Sequence, residues 1–260
     1  MLQQFIDLVG SLGILGTGFV LLVAFLAGIL RGYTGFGFAL AAVPALTLIL
    51  DPADIVPAIT IIALLGGMQL LFRVWRQADW HSTWLLLAGA IAGLPLGIAM
   101  LRWLPADLMR AFIGLIVLGA VLLLWRGLTI SHAPSKAMRL GLGAISGLLN
   151  GSTSMGGPPV IIFFLASPAG AAAGRASLLI YFFFLSLATL GSTAVGGLLT
   201  LRAVLLSLLM LPAMSLGNGV GDRLFVKSSA QTYRRVALVF LAAVAAIAVA
   251  RALYGLIASA

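Results

Sequence analysis

Apolar runs long enough to cross a bilayer follow one another along this chain with only short polar interruptions. A helix of about 20 predominantly apolar residues spans the hydrocarbon core. A chain built almost wholly of such runs has the membrane as its solvent. The supply of charge agrees: 8% of the 260 residues are charged and 62% are hydrophobic, whereas soluble domains carry about a quarter charged residues. No polar block is large enough for a domain outside the membrane. The formal charge of +9 is spread over basic residues standing singly between apolar runs, so no nucleic-acid partner is expected. Cysteine is absent, which removes disulfides, thiolate chemistry and cysteine metal sites. Met1 to Asp7 has no basic region and the following apolar stretch is long, so cleavage of a signal peptide is not expected.

Read against their breakers, the runs predict an all-α integral membrane protein with ten transmembrane or half-membrane segments, at approximately 12–31, 36–50, 54–72, 83–101, 106–126, 138–150, 157–168, 174–197, 202–221 and 233–254. Asp51-Pro52, Leu104-Pro105 and Gly156-Gly157-Pro158-Pro159 mark starts, since proline favours the first helical turn. Cytoplasmic loops are enriched in lysine and arginine, which tests the count. With ten crossings, or with segments one–two and six–seven as hairpins, eleven of the fifteen basic residues collect on one side and four on the other. If only segments two and seven dip and return, the split is eight against seven. The even number of excursions is therefore preferred. It puts both termini outside and the loops near Arg73, Arg126 and Arg234 in the cytoplasm.

The two halves resemble each other. Gly28, Gly32, Thr34 and Gly37 fall on Gly147, Gly151, Thr153 and Gly156, while Arg110 and Arg126 fall on Arg235 and Arg251. Five segments per half force the second copy to enter upside down, which predicts two inverted repeats, 1–130 and 131–260, with broken helices near the midplane and the substrate site where the halves meet. Gly127 to Arg139 reads as the linker between repeats.

Two glycine-rich stretches, Gly28 to Gly37 and Gly147 to Pro159, are the candidate site. Glycine lets backbones approach and leaves amides uncovered, and a helix beginning at Phe36 or Gly157 aims a partially positive N-terminus into the gap. Thr34, Asn150, Ser152, Thr153 and Ser154 add neutral donors. The same glycines, with Gly93/Gly97, Gly143 and Gly217/Gly221, also fit small-residue packing seams between helices. Arg31 is a charge in a motif expected deep in the membrane, where it calls for a partner or a substrate; alternatively it sits at a cytoplasmic segment end. Its repeat mate is Asn150. Gln69, Ser192 and Thr193 are lesser candidates.

There is no glutamate, and Asp7, Asp51, Asp54, Asp79, Asp107 and Asp222 all fall at or near segment ends, which speaks against a carboxylate relay at the midplane. His81 and His132 have no second histidine or acid at ligand spacing, so no metal site, cofactor or catalytic pair is expected. Gly217-Asn218-Gly219-Val220-Gly221 follows an apolar helical run instead of a strand and is no nucleotide loop.

The chain resembles the sulfite exporter TauE/SafE family, also called TSUP. The resemblance lies in Gly28-x3-Gly32-x2-Gly35-Phe36-Gly37 followed by Val43-Pro44-Ala45-Leu46, in Asn150-Gly151 through Gly156-Gly157-Pro158-Pro159, and in Pro95-Leu96-Gly97 with its late counterpart Leu216 to Asp222. It implies a multi-pass protein of the bacterial inner membrane that moves a sulfite-like or small organosulfonate anion. The site residues expected to hold the anion are Arg31, Thr34, Gly35, Gly37, Asn150, Ser152, Thr153, Gly156 and Gly157. A passive anion channel and a non-transporting membrane scaffold are the alternatives. Expected partners are the small anion and the lipid bilayer, with homo-oligomerisation left open.

Overall fold

In the computed structural model, which describes residues 2–125, 135–165 and 170–229 together with Thr232 and Val239, the described regular structure is helical. The order is α1 (Leu2–Thr34), α2 (Phe38–Leu46), α3 (Pro52–Val74), α4 (Trp80–Trp103), α5 (Ala106–Trp125), α6 (Lys136–Thr153), α7 (Gly157–Leu165), α8 (Gly170–Val195) and α9 (Leu201–Val226), with a 3-10 turn at Trp75–Gln77. These correspond to the first nine expected segments. Apart from Val239, the tenth, at 233–254, lies outside the described residues, as do the loops near Arg126 and Arg234, most of the linker, and the later repeat matches to Arg235 and Arg251.

Helix starts follow local chemistry. Asp51 accepts a hydrogen bond from Ala53 N at 2.8 Å ahead of Pro52, and Asp79, Ser135 and Thr200 cap α4, α6 and α9 in the same manner, supplying acceptors to amides that have none within the helix. Inside α1, Gly13 adopts φ 67° and ψ 175°, which separates a short N-terminal helix from a stretch of about 30 Å up to Thr34. That break falls where the sequence placed the start of the first span. Among the described residues, Gln3–Thr34, Trp80–Trp103, Ala172–Val195 and Leu201–Val226 are long and apolar enough to cross a membrane, and Pro52–Met68 with Leu70–Gln77 makes a fifth span if the bent pair counts as one.

Two seams hold the core together, α1 against α9 and α4 against α6, and both are made by glycine. A Cβ on Gly28 would lie 2.6 Å from Met214 O, and one on Gly32 would strike Asn218 O. From the other side, Gly217 and Gly221 admit the carbonyls of Phe25 and Ile29. The second seam repeats this with Gly89, Gly93 and Gly97 facing Leu140, Ala144 and Leu148, and with Gly143 and Gly147 facing Leu86 and Ala90. Close backbone approach of this kind gives dispersion contact where lipid removes the hydrophobic drive for helix association. The outward faces are apolar, with Ile14, Leu15, Phe72, Leu115 and Leu216 exposed. Trp84 and Trp103 are exposed near opposite ends of α4, about 28 Å apart along the axis, a spacing suited to the two interfaces of a bilayer.

Candidate functional site

Two helices break in the middle of this bundle, and the breaks are built alike. After α1 the chain turns at Gly35, φ 84°, whose N–H donates to Arg31 O at 2.7 Å; after α6 it turns at Ser154, φ 56°, whose N–H donates to Asn150 O at 2.7 Å. Thr34 Oγ1 donates to Leu30 O at 2.8 Å and accepts from Phe36 N at 3.2 Å. Thr153 Oγ1 does the same with Leu149 O at 2.7 Å and Met155 N at 3.3 Å. Each break is followed by a nine-residue helix, α2 or α7, about 14 Å long and so about half the hydrocarbon thickness. Interrupted helices are tolerated at that depth only where protein or a cavity satisfies the freed backbone.

The new helix starts differ. Gly37, φ 90°, precedes α2 and no side chain caps it, so the N–H groups of Phe38, Ala39 and Leu40 have no helical acceptor. In α7 the corresponding turn holds Pro158 and Pro159, which have no N–H to offer. Donor capacity at the junction is therefore concentrated on the first break.

Between the breaks lies a cavity of about 50 Å³, room for a few waters or an anion with a similar number of heavy atoms. Gly35, Gly37 and the first residues of α2 form one wall; Asn150, Ser154, Met155 and Gly157 form the opposite one. Thr60 and Ala63 of α3, with Phe182 and Ser186 of α8, close the sides. Arg31 is the one charged residue among the described lining. It is 3% exposed. Its Nη2 donates to Ala63 O at 2.7 Å, while Nη1 has no hydrogen-bond partner among the described residues. Gly67 makes room for the guanidinium, since a Cβ there would lie 3.1 Å from Nη2, while Gly66 makes room for the Met214 side chain beside it.

Of the nine residues expected from sequence, Arg31, Gly35, Gly37, Asn150 and Gly157 line the cavity. Thr34, Ser152, Thr153 and Gly156 stand behind it. Ser152 Oγ donates to Leu148 O at 2.9 Å, and the Gly156 carbonyl accepts from Ser146 Oγ, which itself accepts from Tyr181 Oη at 2.8 Å. Asn150 spans both roles, donating from Nδ2 to Thr189 Oγ1 at 2.8 Å and accepting from Gly156 N at 3.4 Å. Thr60, whose hydroxyl is 2.7 Å from that of Ser154, and Ser186 were not singled out in the sequence; a lone hydroxyl in an apolar helix carries no spacing signal. Ser192 and Thr193 bond carbonyls of their own helix, and Gln69 lies on α3 with its side chain outside the described atoms.

A second polar cluster escaped the sequence as well. Arg175, five residues into α8, is 4% exposed. Its Nη2 donates to Asp222 Oδ1 at 2.8 Å and to Gly32 O, its Nε donates to Tyr33 O at 3.1 Å, and its guanidinium stacks 4.0 Å from the Phe225 ring centre. Arg73 of α3 reaches the other Asp222 oxygen at 2.7 Å. Arg175 thus covers the last carbonyls of α1 at the first break. Asn218, in the helical turn before Asp222, donates to Gly66 O at 3.2 Å.

Comparison with protein families gives a match to the model described as "TauE: Sulfite exporter TauE/SafE" over residues 20–248. Neither the curated proteins nor the solved structures give a match.

Proposed function

Because the chain belongs to the sulfite exporter TauE/SafE family, a family of multi-pass membrane transporters, we propose that it is a secondary transporter of a sulfite-like or small organosulfonate anion across the bacterial inner membrane, binding it in the cavity between the two helix breaks. The observation that carries this reading is Arg31 Nη1, a buried cationic donor without a partner among the described residues, beside the uncapped start of α2. An unpaired charge in such a place is costly unless a ligand meets it. A tetrahedral oxyanion matches a guanidinium and a fan of backbone amides in both charge and geometry. Asn150 and Ser154 complete the opposite wall, and Phe36, Phe38 and Phe182 accept the apolar part of a sulfonate.

The halves 1–130 and 131–260 are inverted repeats arranged around this site, and transport alternates access to it from the two faces of the membrane. Supporting this are the matched caps at Gly35 and Ser154, the matched hydroxyls of Thr34 and Thr153, and the two glycine seams that exchange partners, α1 with α9 and α4 with α6. Both termini face the periplasm.

The test is thermal unfolding of purified protein with sulfite, methanesulfonate, sulfoacetate and acetate, since a ligand bound only by the folded state raises the midpoint. Sulfur oxyanions raise it, and Arg31→Gln abolishes the rise while Arg31→Lys retains part of it. An undiminished rise in Arg31→Gln would move the site elsewhere.

A further inference from the structure

A second hollow lies behind the α1–α2 hairpin, with a volume of about 630 Å³ against about 50 Å³ for the cavity between the breaks, and it shares no described lining residue with that cavity. We propose that it holds an acyl chain of one anionic phospholipid, whose headgroup is met by Arg223 and Lys227. The site is separate from the anion cavity and stands whatever the cargo is.

The groove is apolar along its length and polar at one end. Val23, Leu26 and Leu30 of α1 line one side, and the small side chains of Ala41 and Ala45 of α2 leave room on the other. Tyr33, Ser228 and Thr232 line the end where α1 and α9 finish. There Tyr33 Oη donates to Ser228 Oγ at 3.0 Å, and the Tyr33 ring meets that of Phe225 edge-on at 6.2 Å between centres. From Val23 to Tyr33 the helix rises about 15 Å, half the hydrocarbon thickness and so the depth of one leaflet. An apolar slot of this kind excludes water, whereas a lipid tail fills it by dispersion contact alone. Because α2 belongs to the hairpin that carries Gly35 and Gly37, a tail lodged against Ala41 and Ala45 braces the first break from the side away from the cavity.

Charge at the polar end selects the headgroup. Arg223 and Lys227 are exposed on the last turns of α9, beside Leu224 and Ser228 of the groove. Neither has a carboxylate partner among the described residues, while Arg73 and Arg175 at the same end are both matched by Asp222. Four residues apart on one helix, the two unmatched cations stand side by side and can share one phosphate. Basic positions bordering a helix groove at the membrane surface favour a lipid with net negative charge; a zwitterionic lipid brings its own ammonium and gains less.

The full chain in detergent, given phosphatidylglycerol or phosphatidylcholine with identical acyl chains, tests this by native mass spectrometry of the bound lipid. One phosphatidylglycerol per chain is expected, held at least about tenfold more tightly than phosphatidylcholine. The double variant Arg223→Gln, Lys227→Gln, altered only at exposed positions, brings phosphatidylglycerol down to the level of phosphatidylcholine. Ala45→Phe fills the groove and lowers retention of both lipids; if it does not fold, Leu26→Trp fills the groove from its exposed side. Equal retention of the two lipids by the parent, or a double variant that keeps its preference, would overturn the proposal. So would undiminished retention in a folded groove-filling variant. No retained phospholipid would overturn it as well, and would give the groove to a second copy if the protein runs as a dimer and to the chain's own later residues if it runs as a monomer.

Discussion

Asp222 holds two arginines of very different standing, and the difference sets what each substitution does. The Arg175 side chain is 5% exposed and that of Arg73 is 73% exposed. Asp222→Asn keeps the shape but leaves the Arg175 guanidinium buried without its counter-charge, a change that costs about 3–5 kcal/mol in buried pairs. Arg73→Gln removes a solvent-screened contact, for which about 0–1 kcal/mol is the expected range. Thermal unfolding in detergent should therefore show a drop of several degrees for Asp222→Asn and almost none for Arg73→Gln; equal drops would mean that Arg175 draws its support from the Gly32 and Tyr33 carbonyls alone. At this scale sequence reading reached half of the chemistry. Arg31 was legible because a charge inside a glycine motif has no ordinary place in a bilayer. Arg175 and Asp222 were not, because each sits near a segment end where charges are expected anyway, and only the folded chain brings them onto the broken end of α1. Ser152 and Thr153 were read as donors to a ligand, but hydroxyls on helices turn back to carbonyls three or four residues earlier, and here both do so.

Glycines on α6 serve two purposes that alternate along the helix. Gly147 faces α4, where a Cβ would collide with backbone atoms of Ala90, whereas a Cβ on Gly141 meets nothing within 4 Å. Backbone cannot yield as a side chain can, so Gly147→Ala must separate the two helices and is expected to cost about 1–3 kcal/mol. Gly141→Ala should be neutral or slightly stabilising, since alanine is the better helix former by up to about 1 kcal/mol. Comparing the unfolding midpoints of the two variants checks this; a Gly147→Ala protein as stable as the parent would show that the seam is looser than its geometry states. The start of α7 was legible from Gly157-Pro158-Pro159, where local backbone rules apply, whereas the second segment, read as 36–50 with a helix beginning at Phe36, is the shorter α2 from Phe38 to Leu46, because the chain is still turning at Gly35 and Gly37. The partner of each seam was not legible. Nothing in a short window tells α1 to lie along α9, more than 150 residues later, in preference to its own neighbours, and the small-residue spacing that makes the seam is the same spacing that was read as a binding motif. The structure divides that motif by position: Gly28, Gly32, Gly147 and Gly151 pack helices, while Gly35, Gly37 and Gly157 border the cavity.

Across the whole molecule, the contact between α3 and the second break ties one half of the chain to the other at the cavity wall. Thr60 Oγ1 and Ser154 Oγ are 2.7 Å apart, and Ser154 also donates to Val56 O at 2.9 Å. The chain has no cysteine, so a Thr60→Cys, Ser154→Cys pair would be its sole thiols, on side chains whose hydroxyl oxygens stand 2.7 Å apart, and a disulfide between them would pin α3 to the second break. An alternating-access cycle that parts α3 from the second break needs this contact to open on one side of the cycle. Oxidising the pair in proteoliposomes should therefore stop anion flux, and dithiothreitol should restore it, while the rate of each single-cysteine variant, lowered or not by loss of a lining hydroxyl, does not change on oxidation. Binding of methanesulfonate by the oxidised protein separates an arrested cycle from a blocked cavity: retained binding without flux is the signature of a carrier held in one state. A channel would behave otherwise. With one continuous pore and no need for the halves to part, it would keep conducting while oxidised, and that outcome would remove alternating access and leave the cavity as a fixed selectivity site.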